Sequence, residues 1–136
     1  MPAKARENSD EGAVAFVEHY IDVFNFASAT GKTDELDRLS SPSCEGCQSY
    51  IDLYRGTYDA GGFYQGSDWE LGQFETEKRP QDAHVVYAAM SAPAGKYKSS
   101  TDDIERESKP EEAELVFSLE FREGRWLLED FERGEA

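Results

Sequence analysis

The sequence predicts an α+β fold in which three N-terminal helices pack on a curved antiparallel sheet of about four strands. In residues 9–60, apolar side chains recur with the 3.6-residue period of a helix face. After Gly61-Gly62 the period changes to two, which is typical of strands. Because the helices come first and the strands follow as a meander, we expect two layers around one core.

The first helix is predicted over residues 9–29. Ser9 or Asp10 can cap its start, and Gly31 can end it. Its apolar face is wide enough to predict substantial burial. That face consists of Ala13, Phe16, Val17, Tyr20, Ile21, Phe24 and Ala27.

Two further helices are predicted before the strands begin. A short helix over residues 34–39 docks through its two leucines and ends at Ser41-Pro42. A third helix runs from about residue 45 to residue 60 and stops at Gly61-Gly62. Its apolar face is formed by Tyr50, Ile51, Leu53, Tyr54 and Tyr58.

Four strands are expected, over residues 69–78, 83–92, 112–122 and 125–132. The second is apolar on both faces and is therefore predicted to be central. The alternation of the third directs Leu115, Phe117, Leu119 and Phe121 to the core. In the last strand, Trp126 and Leu128 share one face, and Leu127 and Phe131 share the other. Glu123-Gly124 predicts a two-residue hairpin turn, and residues 93–110 are expected to be a mobile loop.

The length and charge of the chain limit its size and partners. Its 136 residues fit one domain of the usual roughly 100–200 residues. It has 14 Lys and Arg against 29 Asp and Glu, a net charge of −15. This balance argues against nucleic acid and anionic membrane surfaces as partners, because both are bound by clustered cations. No apolar run approaches the ~20 residues of a membrane span.

The two cysteines, Cys44 and Cys47, are separated by two residues. A structural zinc site would need two more ligands, and only His19 and His84 remain, 65 residues apart. A redox motif would follow a strand, whereas helix precedes this pair. A local structural disulfide in an oxidising compartment is favoured, and two free thiols remain an alternative.

The end of the chain resembles a known fold family. The segment Phe121-Arg122-Glu123-Gly124-Arg125-Trp126 and the residues up to Phe131 are similar to the terminal hairpin of nuclear transport factor 2-like, or cystatin-like, proteins. This resemblance implies a cone-shaped α+β fold. It implies no single function, because the fold hosts isomerases, dehydratases and binding modules.

The N-terminal half resembles a family of small uncharacterised actinobacterial lipoproteins. The matching residues are Gly12-Ala13, Ala15-Phe16, Tyr20, Asn25, Ala27, Thr30-Gly31, Leu39-Ser40 and the two cysteines; His19 replaces a usual tyrosine and Phe24 a usual leucine. The resemblance implies a disulfide between Cys44 and Cys47 and an extracellular or cell-envelope location, with a lipid anchor in the precursor. It makes residues 1–8 the end of a flexible tether and residues 9–134 a single domain.

No catalytic, cofactor-binding or metal-binding residue is predicted. His19 and Asp22 lie three residues apart on the first helix, opposite its apolar face, and are interpreted as solvated. His84 begins a strand and is interpreted as a structural histidine. Asp102-Asp103-Ile104-Glu105 lacks the ligand pattern of a calcium loop.

The aromatic residues predict the candidate pocket. We expect a small, mostly apolar cavity near the open end of the cone, closed by residues 93–110. Residues 101–136 contain 13 acids and 5 bases, so an uncharged or cationic ligand is expected. The candidate lining residues are Tyr20, Phe24, Tyr54, Tyr58, Trp69, Tyr87, Phe117 and Trp126.

Three hypotheses for function follow. The first is a non-catalytic envelope or exported module that binds a small apolar or cationic ligand. The second is a small isomerase- or dehydratase-like enzyme of the same fold that acts on a cyclic substrate. The third is a protein-interaction module, for instance a homodimer, that pairs through its sheet face.

Overall fold

Helices and strands follow one another in the expected order. The structure, a computed structural model, describes residues 2–81 and 83–135. A short 3-10 helix, Ala3–Arg6, precedes three α-helices: α1 Asp10–Thr30, α2 Asp34–Arg38 and α3 Glu45–Asp59. The strands are β1 Phe63–Gln65, β2 Glu70–Arg79, β3 Ala83–Ala92, β4 Gly95–Lys98, β5 Arg106–Ser108, β6 Glu111–Arg122 and β7 Arg125–Glu135.

The helix ends are set by local hydrogen bonds. The Ser9 hydroxyl accepts a hydrogen bond of 3.0 Å from the Gly12 N–H at the start of α1. Gly31, at a φ of 76°, ends this helix in the left-handed region that favours glycine. Every residue of the predicted apolar face of α1 is buried, so the predicted burial is confirmed.

The larger sheet is antiparallel, in the order β2-β3-β6-β7, and the α+β fold class is confirmed. Alternation along β6 buries Leu115, Phe117 and Leu119 as predicted. Glu123 and Gly124 connect β6 to β7 with positive φ angles of 52° and 78°, which a two-residue hairpin turn of the predicted kind requires.

A second sheet, in the order β1-β4-β5, corrects the expected loop over residues 93–110. Gly95 permits this pairing, because a Cβ there would lie 2.3 Å from the carbonyl oxygen of Gln65. Its N–H also donates a 3.0 Å hydrogen bond to the Ser108 hydroxyl. These strands have only three or four residues each, which is too short for an alternating pattern to be visible in the sequence.

Two side chains lie on the face opposite to the one expected. On β3 the inner face is formed by His84, Val86, Ala88 and Met90, so Tyr87 points outward, where its hydroxyl donates to Glu77 at 3.0 Å. Both faces of β3 are apolar, so their pattern does not identify the inner one. In β7 a bulge shifts the pairing between Ser118 and Leu119, and the extra residue returns Phe131 to the core.

Aromatic and aliphatic side chains fill the space between α1 and the larger sheet. Phe16 and Val17 of α1 are fully buried there, as are Leu115 and Phe117 of β6 and Leu128 of β7. The interior of the cone is therefore a packed core. Among the described residues, no helix is long and apolar enough to span a bilayer.

The N-terminal residues pack against the β6–β7 end of the molecule. Ala5 is buried, and the Trp126 indole N–H donates a 3.1 Å hydrogen bond to the Glu7 carbonyl. The division into a tether over residues 1–8 and a domain over residues 9–134 stays a prediction.

Candidate ligand-binding site

The candidate site is a cavity of about 290 Å³ at the end of the molecule where the smaller sheet meets α1 and α3. Its volume is at the lower end of the ~300–1,000 Å³ typical of small-molecule pockets. Residues from β1, β4, β5, β6 and β7 complete the wall. The lining residues are Phe24, Asn25, Ser28, Tyr50, Leu53, Tyr54, Tyr64, Ser67, Trp69, Lys96, Tyr97, Ser108, Glu111 and Arg133.

The periodicities of the elements bring these side chains together. Tyr50, Leu53 and Tyr54 are spaced i, i+3, i+4 and share one face of α3. Tyr64 and Tyr97 are directly opposite each other on β1 and β4, with nearly parallel rings 6.0 Å apart. The smaller sheet therefore forms an aromatic wall that faces the helices.

The rings of the cavity support one another. Phe24 lies 4.5 Å from Trp69 and 5.0 Å from Tyr50, measured between ring centroids. Tyr54 meets Tyr64 edge to face at 5.3 Å. Such contacts each contribute about 0.5–1.5 kcal/mol beyond burial. They hold the lining rings against one another and so limit the movement of each ring.

Asn25 holds Trp69 in position. Its side-chain amide donates a 3.0 Å hydrogen bond to the Trp69 carbonyl, and its oxygen accepts one of 2.9 Å from the Trp69 N–H. Both polar groups of the amide are thus used on the backbone of one residue. This positioning role was not predicted, because the partners are 44 residues apart.

Tyr58 supports the wall from behind. Its hydroxyl donates a 2.7 Å hydrogen bond to the Ser28 carbonyl and accepts one of 3.1 Å from the Tyr64 N–H. Tyr58 thus connects α1 and α3 to β1. The side chain is structural, although it was a candidate for the lining.

Two cationic side chains and one carboxylate border the cavity. The Arg133 guanidinium pairs with the Glu111 carboxylate and lies over the Trp69 ring, 5.6 Å from its centroid. Lys96 lies on β4, and its Nζ is 4.0 Å from a carboxylate oxygen of Glu105. The acid excess of residues 101–136 is therefore not reproduced in the cavity lining, where two cations meet one carboxylate.

Tyr54 and Arg133 each keep one protonation state in the cavity lining. Burial raises the pKa of Tyr54 well above its ordinary value, so this hydroxyl stays neutral and able to donate a hydrogen bond. Burial is the largest single influence on the pKa of Arg133 and lowers it, but the interactions with Glu111 and Tyr50 together outweigh burial, and the net shift is upward. Arg133 is therefore charged at any pH that the fold tolerates.

Only three of the eight candidate lining residues border this cavity, namely Phe24, Tyr54 and Trp69. Tyr20 is buried beside Ser40, with 2.8 Å between the two hydroxyl oxygens, and burial raises the pKa of Tyr20 to about 12. Phe117 packs on Phe131 in the core. The remaining candidates also lie elsewhere: Tyr58 behind the wall, Trp126 at the β6–β7 end and Tyr87 on the outer sheet face.

The histidines and Asp22 also lie outside the cavity lining. His19 borders a separate cleft together with Glu35 and Arg38. The pKa of His19 is lowered, mainly by burial. His84 packs edge to face on Trp126, with Nε2 3.5 Å from an Asp10 carboxylate oxygen. In the described part of the chain, no group of three His, Cys, Asp or Glu side chains is arranged to hold a metal ion.

Cys44 and Cys47 form a disulfide at the start of α3, with 5.2 Å between their Cα atoms. Cys44 also caps the helix, because its sulfur accepts a hydrogen bond from the Cys47 N–H. Gly46, between the two cysteines, lies close to β7: a Cβ there would be 2.5 Å from the Phe131 carbonyl oxygen. The disulfide thus fixes the end of α3 that contacts the larger sheet.

Several solved structures have a fold similar to that of this chain. An uncharacterised protein with a cystatin-like fold from Caulobacter vibrioides has a TM-score of 0.58 at 12% identity, covering 90% of this chain and 89% of its own. The intermembrane space region of the chloroplast protein ARC6 has a TM-score of 0.69 at 10% identity, covering 94% and 98%. A putative calcium/calmodulin dependent protein kinase II association domain from Xanthomonas campestris has a TM-score of 0.57 at 14% identity, covering 94% and 89%.

These similarities establish a cystatin-like α+β fold. Residues 1–132 match the model of a family of unknown function, DUF6318, and the chain belongs to that family. No curated protein matches the sequence.

Proposed function

We propose that this protein is a non-catalytic binding module that takes a small ligand with an apolar body into the aromatic cavity. The observation that carries the proposal is the convergence of six aromatic rings around one preformed space, contributed by α1, α3, β1, β4 and the segment before β2. Aromatic lining with a few polar groups is typical of small-molecule sites. A cavity that is held open by its own ring contacts binds without a large ordering cost.

The chemistry of the lining favours binding over catalysis. Its one carboxylate, Glu111, is paired with Arg133, and both histidines lie elsewhere. General acid–base catalysis needs a titratable group within hydrogen-bond reach of the substrate. An isomerase- or dehydratase-like enzyme acting on a cyclic substrate remains the alternative, with the hydroxyl of Tyr54 as its available donor.

We place the module outside the cytoplasm, as an exported or envelope protein. The disulfide between Cys44 and Cys47 favours an oxidising compartment. The resemblance to actinobacterial lipoproteins supports an actinobacterial origin and a lipid-anchored precursor, with residues 1–8 as the link to that anchor and residues 9–134 as the domain.

A second candidate function is association through the outer face of the larger sheet. The association domain among the similar structures favours it, and Tyr87, Val116 and Leu127 are half-buried on that face. However, Glu114 and Glu120 of β6 also point outward, and two copies would bring like charges together. Light scattering at several concentrations tests this candidate, which predicts a dimer.

The ligand proposal is tested with a matched pair of tyrosine variants and a neutral probe, 4-phenylbutan-1-ol. Tyr97→Ala removes a ring of the cavity wall, and Tyr87→Ala removes an equally half-buried ring from the outer face. We expect the probe to raise the melting temperature of the wild type by linkage. Tyr97→Ala should weaken binding roughly three- to tenfold and Tyr87→Ala should leave it unchanged. Equal weakening by both variants, or no shift in the wild type, would contradict the proposal.

A further inference from the structure

We infer that the ligand of the aromatic cavity carries one carboxylate on its apolar body. This inference rests on the proposed function and adds the charge of the ligand to it. Lys96 of β4 and Arg133 of β7 border the same space as the six rings. The site therefore combines an apolar interior with two cationic groups.

The balance of charge at the cavity is opposite to that of the chain. Acids outnumber bases by 29 to 14 overall, but Glu111 is the one acid among the described residues that line the cavity. The electrostatic interactions of a ligand in the cavity are strongest with these nearby groups, because charges beyond about 8 Å are screened at physiological salt. Within the lining two cations face one carboxylate, and Glu105 balances the second cation from outside the lining. An anionic ligand group is therefore favoured where it takes the place of Glu105.

Lys96 is the cation that a ligand can recruit. Its partner Glu105 is 4.0 Å away, and both side chains are about half exposed. An exposed pair at this distance contributes little to stability. A carboxylate that enters the cavity replaces this contact at small cost.

Arg133 is preorganised for the same carboxylate. Its guanidinium is held over Trp69 and paired with Glu111, and the side chain is only 33% exposed. A guanidinium has five N–H donors in one plane, and a single carboxylate uses at most two of them. The Tyr50 hydroxyl interacts with part of what remains, and the other N–H groups match a second planar carboxylate.

The test compares three probes that share one apolar body and differ only in the head group: 4-phenylbutyrate, 4-phenylbutan-1-ol and 4-phenylbutylamine. Calorimetry at neutral pH and low salt gives their affinities for the full chain. We expect the carboxylate to bind about fivefold more tightly than the alcohol, and the amine most weakly. The advantage of the carboxylate should decrease as salt is added.

Two variants assign the preference to named residues. Lys96→Gln should bring the affinity for the carboxylate down to about the affinity for the alcohol. Glu111→Gln should increase the affinity for the carboxylate, because it removes the competitor for Arg133. Lys78→Gln, which makes the same charge change at the far end of β2, is the control and should alter none of the three affinities.

Each outcome distinguishes this inference from the proposed function. Equal affinity for all three probes, or tightest binding of the amine, would overturn the carboxylate while leaving the cavity as an apolar binding site. A carboxylate preference that survives Lys96→Gln and Glu111→Gln unchanged would also overturn the inference. If no probe binds, the proposed function fails and the inference fails with it.

Discussion

The two sheets of this molecule differ in what they pack against. The larger sheet, β2-β3-β6-β7, closes over α1 with fully buried side chains such as Phe117 and Leu128. The smaller sheet, β1-β4-β5, faces α1 and α3 across a space that its rings line without filling. Long strands thus close over the core, while short strands complete the wall of the candidate site.

Truncation of a core side chain in the larger sheet should cost much stability. Phe117 is fully buried and packs 5.2 Å from Phe131, centroid to centroid. Phe117→Ala should lower the free energy of unfolding by about 3–5 kcal/mol, because it removes buried apolar surface and leaves a cavity. Urea denaturation measures this loss.

The control for Phe117 is its neighbour on the outer face. Val116 is half-buried there, so Val116→Thr should cost far less than Phe117→Ala. Comparable losses in the two variants would mean that the inner face of β6 is not the sealed core described above.

A smaller loss of stability is expected on removal of the disulfide at the start of α3. The Cys44–Cys47 disulfide closes a short loop, so its loss should cost about 2 kcal/mol in the chain-entropy model. The intact mass under non-reducing conditions should be two hydrogens below the reduced value. The double variant Cys44→Ser with Cys47→Ser retains a cap and measures the cost of the missing bond.

Two free thiols that alkylate readily in protein purified without reductant would contradict the disulfide. A double serine variant as stable as the wild type would instead show that the caps and the packing around Gly46 suffice to hold α3.

The larger sheet is predictable where only one face of a strand is apolar. Strict alternation in β6 identifies Phe117 as a core residue, because one face of that strand is apolar and the other is mostly polar. Tyr87 could not be assigned in the same way, since both faces of β3 are apolar. Simple alternation places Phe131 opposite Trp126, but a bulge adds one residue and reverses the alternation.

The candidate site was predicted only in part. Phe24, Tyr54 and Trp69 follow from helix faces and aromatic content. Tyr64 and Tyr97 lie in strands too short to have a visible period, and their pairing is a long-range contact between β1 and β4. Tyr50 was on the predicted apolar face of α3, but its sequence position alone does not separate cavity wall from core. The charges at the cavity, Lys96, Glu111 and Arg133, come from three strands that only the fold brings together.

The two tryptophans test the central claim most directly, because Trp69 borders the cavity and Trp126 lies at the β6–β7 end, hydrogen-bonded to Glu7. Trp126→Phe leaves Trp69 as the single fluorophore, and Trp69→Phe leaves Trp126. Titration with 4-phenylbutyrate should change the emission of Trp126→Phe in a saturable way and leave that of Trp69→Phe flat. A saturable change in Trp69→Phe, with none in Trp126→Phe, would place the ligand in the region described here as sealed and would contradict the account.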